Sequence, residues 1–374
     1  MIGIALKMLL HKRGRFLVTV GGLSCLFFLS AAQLGMLVGW CNTVSAIIRH
    51  AEADVWVMSP LTPAFDYGTA LPKIRVYQTR GVEGVAWAEG MYMDWSMWQR
   101  PDGKRISIEL VGLDENCWGG PWRMAAGHVD DVHLPEGVIV DQAFLNPLGV
   151  EGLGDEVEFY GQRAVVRGVC TGVRTFTASP FVFASLKSAR RFDPRYRADE
   201  VTYVLTKCTP GYTPEEVRDA VAREVPDVEV LTRREFVVRT ILYWMLETGV
   251  GITVTLTAIL GFLVSAVVVS QTLFTITQDH LTNYATLLAV GFSRLKLSGI
   301  VFLQSLLLGG VSWSLGSLGF YYAAGASAPT AVPLEMTWWI WDGVTAFYFA
   351  TCVGASFLSL KSVLQLDPAV VFRG

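Results

Sequence analysis

The sequence predicts a membrane α-helical protein with four transmembrane helices and a large α+β extracytoplasmic domain inserted between the first and second. Three observations carry that reading. Residues 16–48, 248–278, 297–334 and 343–360 contain no Asp, Glu, Lys or Arg, and about 20 such residues cross the hydrocarbon core as a helix. Residues 49–232, between the first two runs, hold most of the charge, most of the prolines and many short alternating patterns, as a water-soluble domain does. A short polar stretch, 279–296, separates the second run from the third. Bulk numbers agree: 52% of residues are hydrophobic, the net charge is only −3, and mean hydropathy is positive.

The N-terminal segment, 1–15, carries Lys7, Lys12, Arg13 and Arg15. Basic residues in a short flank stay in the cytoplasm, so this end is inside. His11 to Arg15 followed by Ser30-Ala31-Ala32 imitates a cleaved signal peptide, but the apolar run continues through Leu34, Met36, Leu37, Val38 and Trp40, far past a signal's core. Residues 16–48 are therefore the first span. Within it Gly35 and Gly39 form a small-xxx-small pattern that lets another segment approach closely.

The domain at 49–232 begins with the strand-like "ADVWVM" at 53–58 and continues with strand patterns at 106–111, 137–140, 157–159, 164–169, 181–183 and 201–205. Pro101-Asp102-Gly103, Gly119-Gly120-Pro121 and Pro147-Leu148-Gly149 mark turns. Thr213-Pro214-Glu215-Glu216 is a capping box with proline at the first helical position, and Val217, Val221 and Val225 share one face of the helix that follows. Strand 201–206, helix 214–225 and strand 228–231 read as a βαβ unit. Asp54, Glu109 and Asp141 lie in or beside strands and read as surface or turn residues.

A second capping box, Thr232 to Glu235, opens the stalk and second span, 233–278. Unbroken from Glu235 to Gln278, that helix would run about 65 Å at 1.5 Å per residue, about twice the hydrocarbon thickness. Gly249, Gly251 and Gly261 are the alternative, positions where it kinks. In the connection, 279–296, Leu281, Tyr284, Leu287 and Leu288 fall on one helical face and Asp279, His280, Thr282, Asn283 and Thr286 on the other. Gly291 ends this amphipathic helix. Arg294 and Lys296 keep it inside, as Lys361 and Arg373 keep the C-terminus. Third span 297–324, outer loop 325–342, fourth span 343–360 and cytoplasmic tail 361–374 complete the chain. Trp338, Trp339 and Trp341 read as an interfacial belt, and Gly309, Gly310, Ser312, Gly316 and Gly319 as a packed helix face.

Several function classes are disfavoured. No run carries a charged residue at its middle, which argues against ion-coupled transport. No GxxxxGK[ST] loop is present, so the chain does not bind ATP in the Walker manner. There is no Gly-x-Ser-x-Gly and no His-rich or CxxC spacing for a metal; catalytic, cofactor-binding and metal residues are none, and nothing points to nucleic acid. Of six cysteines, Cys25 and Cys352 are small apolar residues inside spans; Cys117, Cys170 and Cys208 allow one disulfide, whose pairing is left open.

The order of these parts resembles the FtsX-like and MacB-like permeases of ABC transporters, most nearly the DevC type. The motifs that carry the resemblance are "LKMLLHKRGRFLVTVGGL" (6–23), "ADVWVM" (53–58), "VIVDQAFLNPLGVEGLGDEVEF" (138–159), "GV" (172–173), "SPFVFAS" (179–185), "SQTLFTITQDHLTNYATLLAVGFSRLKLSGIVFLQS" (270–305) and "LDPAVVFRG" (366–374). One departure is that Thr282-Asn283-Tyr284 is neutral where such permeases often carry charge. The resemblance implies a non-catalytic subunit in a bacterial inner membrane, both termini cytoplasmic and the large domain periplasmic. It further implies a homodimer bound to a separate ATPase that holds ATP and Mg, with a membrane-fusion adaptor and an outer-membrane channel in some systems. The expected role is mechanotransmission that exports a lipid, glycolipid, peptide or hydrophobic compound. The alternative is an FtsX-like signalling subunit that regulates a cell-wall hydrolase. Expected ATPase-coupling residues are Asp279, His280, Asn283, Tyr284, Leu287, Leu288 and Gly291, with the 6–15 segment and Asp367 and Pro368. Gly35, Gly39, Gly309, Gly310 and Gly316 are expected at helix-packing or dimer contacts.

Overall fold

The structure is a computed structural model that describes residues 2–11, 13–175, 177, 179–197, 199–328, 330 and 332–364. Asp367 and Pro368 lie outside the described residues. Two compact units are present, one drawn from Met1–Gly39, Thr253–Ala328 and Pro333–Gly374, the other from Trp40–Ile252 and Pro329–Val332.

The second unit is built on strands β1 (Val55–Met58), β2 (Leu71–Pro72), β3 (Val85–Gln99), β4 (Arg105–Leu113), β5 (Met124–Ala126), β6 (Gly137–Asp141), β7 (Glu156–Phe159), β8 (Gln162–Cys170), β9 (Phe181–Ser185), β10 (Glu200–Val201), β11 (Tyr203–Cys208) and β12 (Glu229–Thr232). The main sheet runs β12-β1-β11-β3-β4-β9-β6-β8-β5, antiparallel except for β4–β9 and β6–β8. Both parts of an α+β design are visible in it. β1, β3, β11 and β12 form a double split βαβ: helices α4 (Ile74–Arg80) and α7 (Pro214–Glu224) each connect two of these strands, and β1 lies between β11 and β12. The βαβ unit read from sequence is thus present with a strand inserted in its middle. β7 pairs β8 and meets β3 at Gln99 and Glu158, which closes β3-β4-β9-β6-β8-β7 into a ring.

Side chains alternate across these strands, so each face has its own core. Trp98, Ile108, Leu110, Val138, Val140, Phe159, Val166 and Val182 pack together with Phe192 of helix α6 (Leu186–Phe192). The opposite parity supplies Met91, Met93, Val111, Leu113, Ile139 and Phe183, which pack with Trp56, Phe65, Tyr203 and Phe236. Val217, Val221 and Val225 of α7 close on Val55, Val57, Val204 and Val230. The longest strand, β3, has no counterpart among the strand expectations: its "VAWAEGMYMDWSMWQ" contains Gly, Glu and Asp and few β-branched residues, so local propensity understates it. All six cysteines are free, so no disulfide staples this unit. A four-residue helix, α5 (Leu145–Leu148), completes it.

The remaining helices are α1 (Ile2–His11), α2 (Arg13–Val44), α3 (Ala46–His50), α8 (Arg233–Leu246), α9 (Val250–Asp279), α10 (Leu281–Ala289), α11 (Arg294–Ser327) and α12 (Trp338–Leu364). Among the described residues α2, α9 and α11 are long and apolar enough to cross a membrane. The stalk is not one unbroken helix. α8 stops at Leu246 and α9 starts at Val250, with Gly249 between them at φ +74°, a left-handed conformation that glycine adopts without penalty. Of the three glycines weighed for a kink, Gly249 is the one that breaks the helix; Gly251 and Gly261 lie inside α9.

Candidate functional site

The amphipathic connection is helix α10, and each of its faces has a definite neighbour. Tyr284 and Ala285 are fully buried, and with Leu281, Leu287 and Leu288 they pack on Ala5 and Met8 of α1 and on Leu297, Ile300 and Val301 of α11. Tyr284 Oη donates to Oε1 of Gln304 at 2.5 Å, and Gln304 Nε2 lies 3.7 Å from Met8 Sδ. One buried polar chain therefore ties α10 to both neighbours, and a polar pair shielded from water holds such a joint because parting it would leave a donor and an acceptor unmet. Asp279, the last residue of α9, pairs with Arg15 at the start of α2 at 2.6 Å. His280 precedes α10, and its Nδ1 lies 3.1 Å from Asn283 Nδ2. Gly291 follows at φ +98°.

Burial sorts the expected coupling residues into two roles. Thr282, Asn283 and Thr286 face outward, as do Ala289, Val290 and Leu295. Tyr284 does not, being fully buried, and Leu287 and Leu288 are half-buried against the same neighbours. The exposed face is thus the polar one, which carries Asn283 of the expected coupling residues, extended by Val290 and Leu295.

Four of the five small-residue positions, Gly35, Gly39, Gly309 and Gly316, meet neighbours within the chain. A Cβ on Gly39 would sit 1.8 Å from the carbonyl oxygen of Pro333, and Glu335 N donates to Gly35 O at 3.1 Å. Gly316 lies against Phe27 and the carbonyl of Ser24 on α2, and Gly309 against Cys352 on α12. Around Gly310 the space is open. Of the tryptophans read as a belt, Trp338 and Trp339 are exposed, whereas Trp341 packs edge-on against Phe27 at 5.8 Å. In the sheet unit, Trp118 and Trp122 are partly buried beside the core, and Trp122 stacks on His50 at 3.9 Å.

Three acids read as surface or turn residues need correction. Glu109 on β4 is fully buried; its Oε1 accepts from Thr177 Oγ1 at 3.0 Å and Thr175 Oγ1 at 3.4 Å, and its Oε2 is buried without a hydrogen bond. Asp141 is also buried, accepting from the amides of Ala143 and Val173 at 2.9 and 2.8 Å. Asp54 is half-buried and binds Lys207 and Arg233 at 2.9 and 3.2 Å. For Glu109 the pattern "RISIEL" shows polar residues on one parity, the mark of a solvent face; here that face is covered by residues distant in sequence. Asp66, in the 3-10 turn Phe65–Tyr67, is one of them. Its Oδ2 accepts from Trp244 Nε1 of α8 at 2.6 Å. Burial pushes the Asp66 carboxyl up to about 6, and burial together with the charge of Asp66 pushes Glu109 well above the usual carboxylate range.

The MacB-like periplasmic core domain model matches residues 16–224 and the FtsX-like permease C-terminal model matches residues 255–368. The chain belongs to the FtsX-like, MacB-like permease family and is an ABC-type permease subunit, a membrane protein whose sheet unit is of the periplasmic type. No curated protein sequence matches it. Among solved structures it is similar to the periplasmic region of MacB from Actinobacillus actinomycetemcomitans, at 12% identity and TM-score 0.39 over 50% of this chain and 92% of that one. The extracellular domain of the noncanonic ABC-type transporter YknZ from Gram-positive bacteria matches at 12% identity and TM-score 0.36, over 47% and 98%. A domain of a putative permease from Porphyromonas gingivalis matches at 13% and 0.32, over 48% and 87%. Likeness at that level adds nothing to the family assignment, which rests on the two family models.

Proposed function

We propose that this chain is the membrane subunit of an exporter of the MacB or DevC type, and that it turns ATP hydrolysis on a separate ATPase into movement of the sheet unit. In this reading α2, α9, α11 and α12 are four spans, both termini and α10 face the cytoplasm, and the sheet unit lies outside. Two copies pair, each with its ATPase; an adaptor and an outer-membrane channel extend the path where the envelope has two membranes. The cargo is a lipid, glycolipid, peptide or other hydrophobic compound. The ATPase-facing surface is Thr282, Asn283, Thr286 and Val290.

One observation carries the reading: α10 is a small helix held on its buried side by Tyr284 and Gln304, with a polar opposite face that is exposed among the described residues. A helix so fixed transmits a push instead of absorbing it, because its packed face has one arrangement. Asn283→Cys, placed in a chain purified together with its partner ATPase, tests this. The expected result is a cross-link to that ATPase and loss of nucleotide-stimulated turnover on Thr286→Arg. Absence of the cross-link with full stimulation in Thr286→Arg contradicts it.

A further inference from the structure

The turn that carries Asp66 is held by α8 at two points. Thr240 Oγ1, fully buried on α8, accepts from Phe65 N at 3.3 Å, and one helical turn further Trp244 Nε1 donates to Asp66 Oδ2 at 2.6 Å. Glu109 on β4 is near enough that burial together with the charge of Asp66 raises its carboxyl well above the usual range. Tyr203 Oη on β11 donates to Phe65 O at 2.6 Å, and Trp95 Nε1 on β3 donates to Asp66 O at 3.0 Å. Tyr67 of the turn packs on Tyr243 and Trp244, with ring centres 5.6 and 5.8 Å away. The titratable groups that face the pair are therefore Tyr67, Tyr203 and Tyr243; the nearest cation on α8, Arg239, is engaged with Glu229 at 2.5 Å. Among the described residues neither carboxylate has an ion pair.

Two carboxyls buried together under a helix, with indole and hydroxyl donors but no cation, stay dry only while they hold protons. Lifting α8 from the turn removes the lid of Trp244 and Thr240 and lets water reach Asp66. The seated helix thus binds more protons than the lifted one, and proton binding and seating favour each other by linkage. We propose that Asp66 and Glu109 form a proton-held clamp that seats the top of the stalk helix α8 on the sheet unit, tightened by acid and released as the pair ionises. The chemistry is proton uptake from bulk water, with no other reactant. Burial of the carboxyls exceeds the help given to the charged form by Trp244, and this sets the direction. The clamp does not depend on whether the protein exports or signals, since it concerns α8 and its own unit alone.

The test is amide hydrogen exchange of the full chain in detergent at pH 5.5 and pH 8, with rates for residues 236–246 divided by the intrinsic chemical rates at each pH. Protection is expected to be about fourfold higher or more at pH 5.5, since Asp66, near 6 when seated, is mostly protonated there and ionised at pH 8, and Glu109 adds in the same direction. In Asp66→Asn with Glu109→Gln, protection is expected to be high and equal at both pH values. Asp66→Asn alone, a near-isosteric change, should reduce the pH dependence, leaving only the part carried by Glu109, and serves if the double variant is poorly produced. Equal protection of the natural chain at the two pH values overturns the proposal. So does pH dependence that survives unchanged in Asp66→Asn.

Discussion

The sheet unit and the helical unit solve packing in opposite ways. In the sheet unit large side chains interlock: Trp56, Trp98, Phe159, Tyr203 and Phe236 are all but inaccessible, and Phe65 stacks on Tyr203 with ring centres 5.4 Å apart. In the helical unit closeness comes from what side chains omit. Gly39 admits the backbone of Pro333, Gly316 admits α2, Ser312 Oγ reaches Val20 O at 3.3 Å, and Ser305 and Ser356 meet across α11 and α12 at 2.6 Å. Water expels apolar bulk, so burying more of it stabilises the first unit. Lipid tails are as apolar as leucine, and the second unit relies on close backbone approach and shared polar groups.

The largest expected effects set these two rules side by side. Trp56→Ala should destabilise the sheet unit by about 3–5 kcal/mol, read as an earlier unfolding transition of that unit in a thermal scan. Gly39→Leu adds bulk where a backbone oxygen already stands, and should cost about 3 kcal/mol or more, read as loss of monodisperse protein in detergent. If Gly39→Leu were neutral, close approach would not be what packs the helices. A middle-sized effect is expected at the coupling helix. Tyr284→Phe leaves the Gln304 amide buried without its partner and should cost about 1–3 kcal/mol, whereas Tyr284→Phe with Gln304→Leu should recover much of that loss. Failure of the double variant to recover would mean that the hydrogen bond is incidental.

Smaller shifts follow from pH and from single hydroxyls. Asp66 has a folded pKa raised above its ordinary value, so the folded state holds more protons than the unfolded one between about pH 4 and pH 6. Stability of the sheet unit is therefore expected to fall as pH rises through that window, and Asp66→Asn to flatten the slope. Ser305→Ala with Ser356→Ala should cost only about 0.6 kcal/mol, the usual size of such a pair between membrane helices.

Much of this was legible in the sequence, and the reasons differ by place. Charge-free runs locate the long helices because hydrocarbon tolerates no unpaired charge, and the periodicity of Leu281, Tyr284 and Leu288 locates α10. Capping boxes at Thr213 and Thr232 fix the starts of α7 and α8; both close with Glu216 and Glu235 as written. Legibility ends where a neighbour is distant in sequence. Nothing in "RISIEL" tells that Asp66 of the turn at 65–67 and the hydroxyls of Thr175 and Thr177 meet Glu109, and nothing near Tyr284 names Gln304 as its partner. Three glycines are equivalent breakers on paper, and only the folded backbone shows that Gly249 is the one that turns left-handed.

Coupling requires that α10 and the sheet unit face opposite compartments. Single cysteines at Asn283 and at Leu61, each in a chain freed of its native cysteines, allow this to be measured in intact cells with a membrane-impermeant maleimide. Labelling of Leu61→Cys alone, with Asn283→Cys reacting only after the membrane is opened, is the predicted result. Labelling of both from the same side would leave the ATPase no surface to push and would contradict the account.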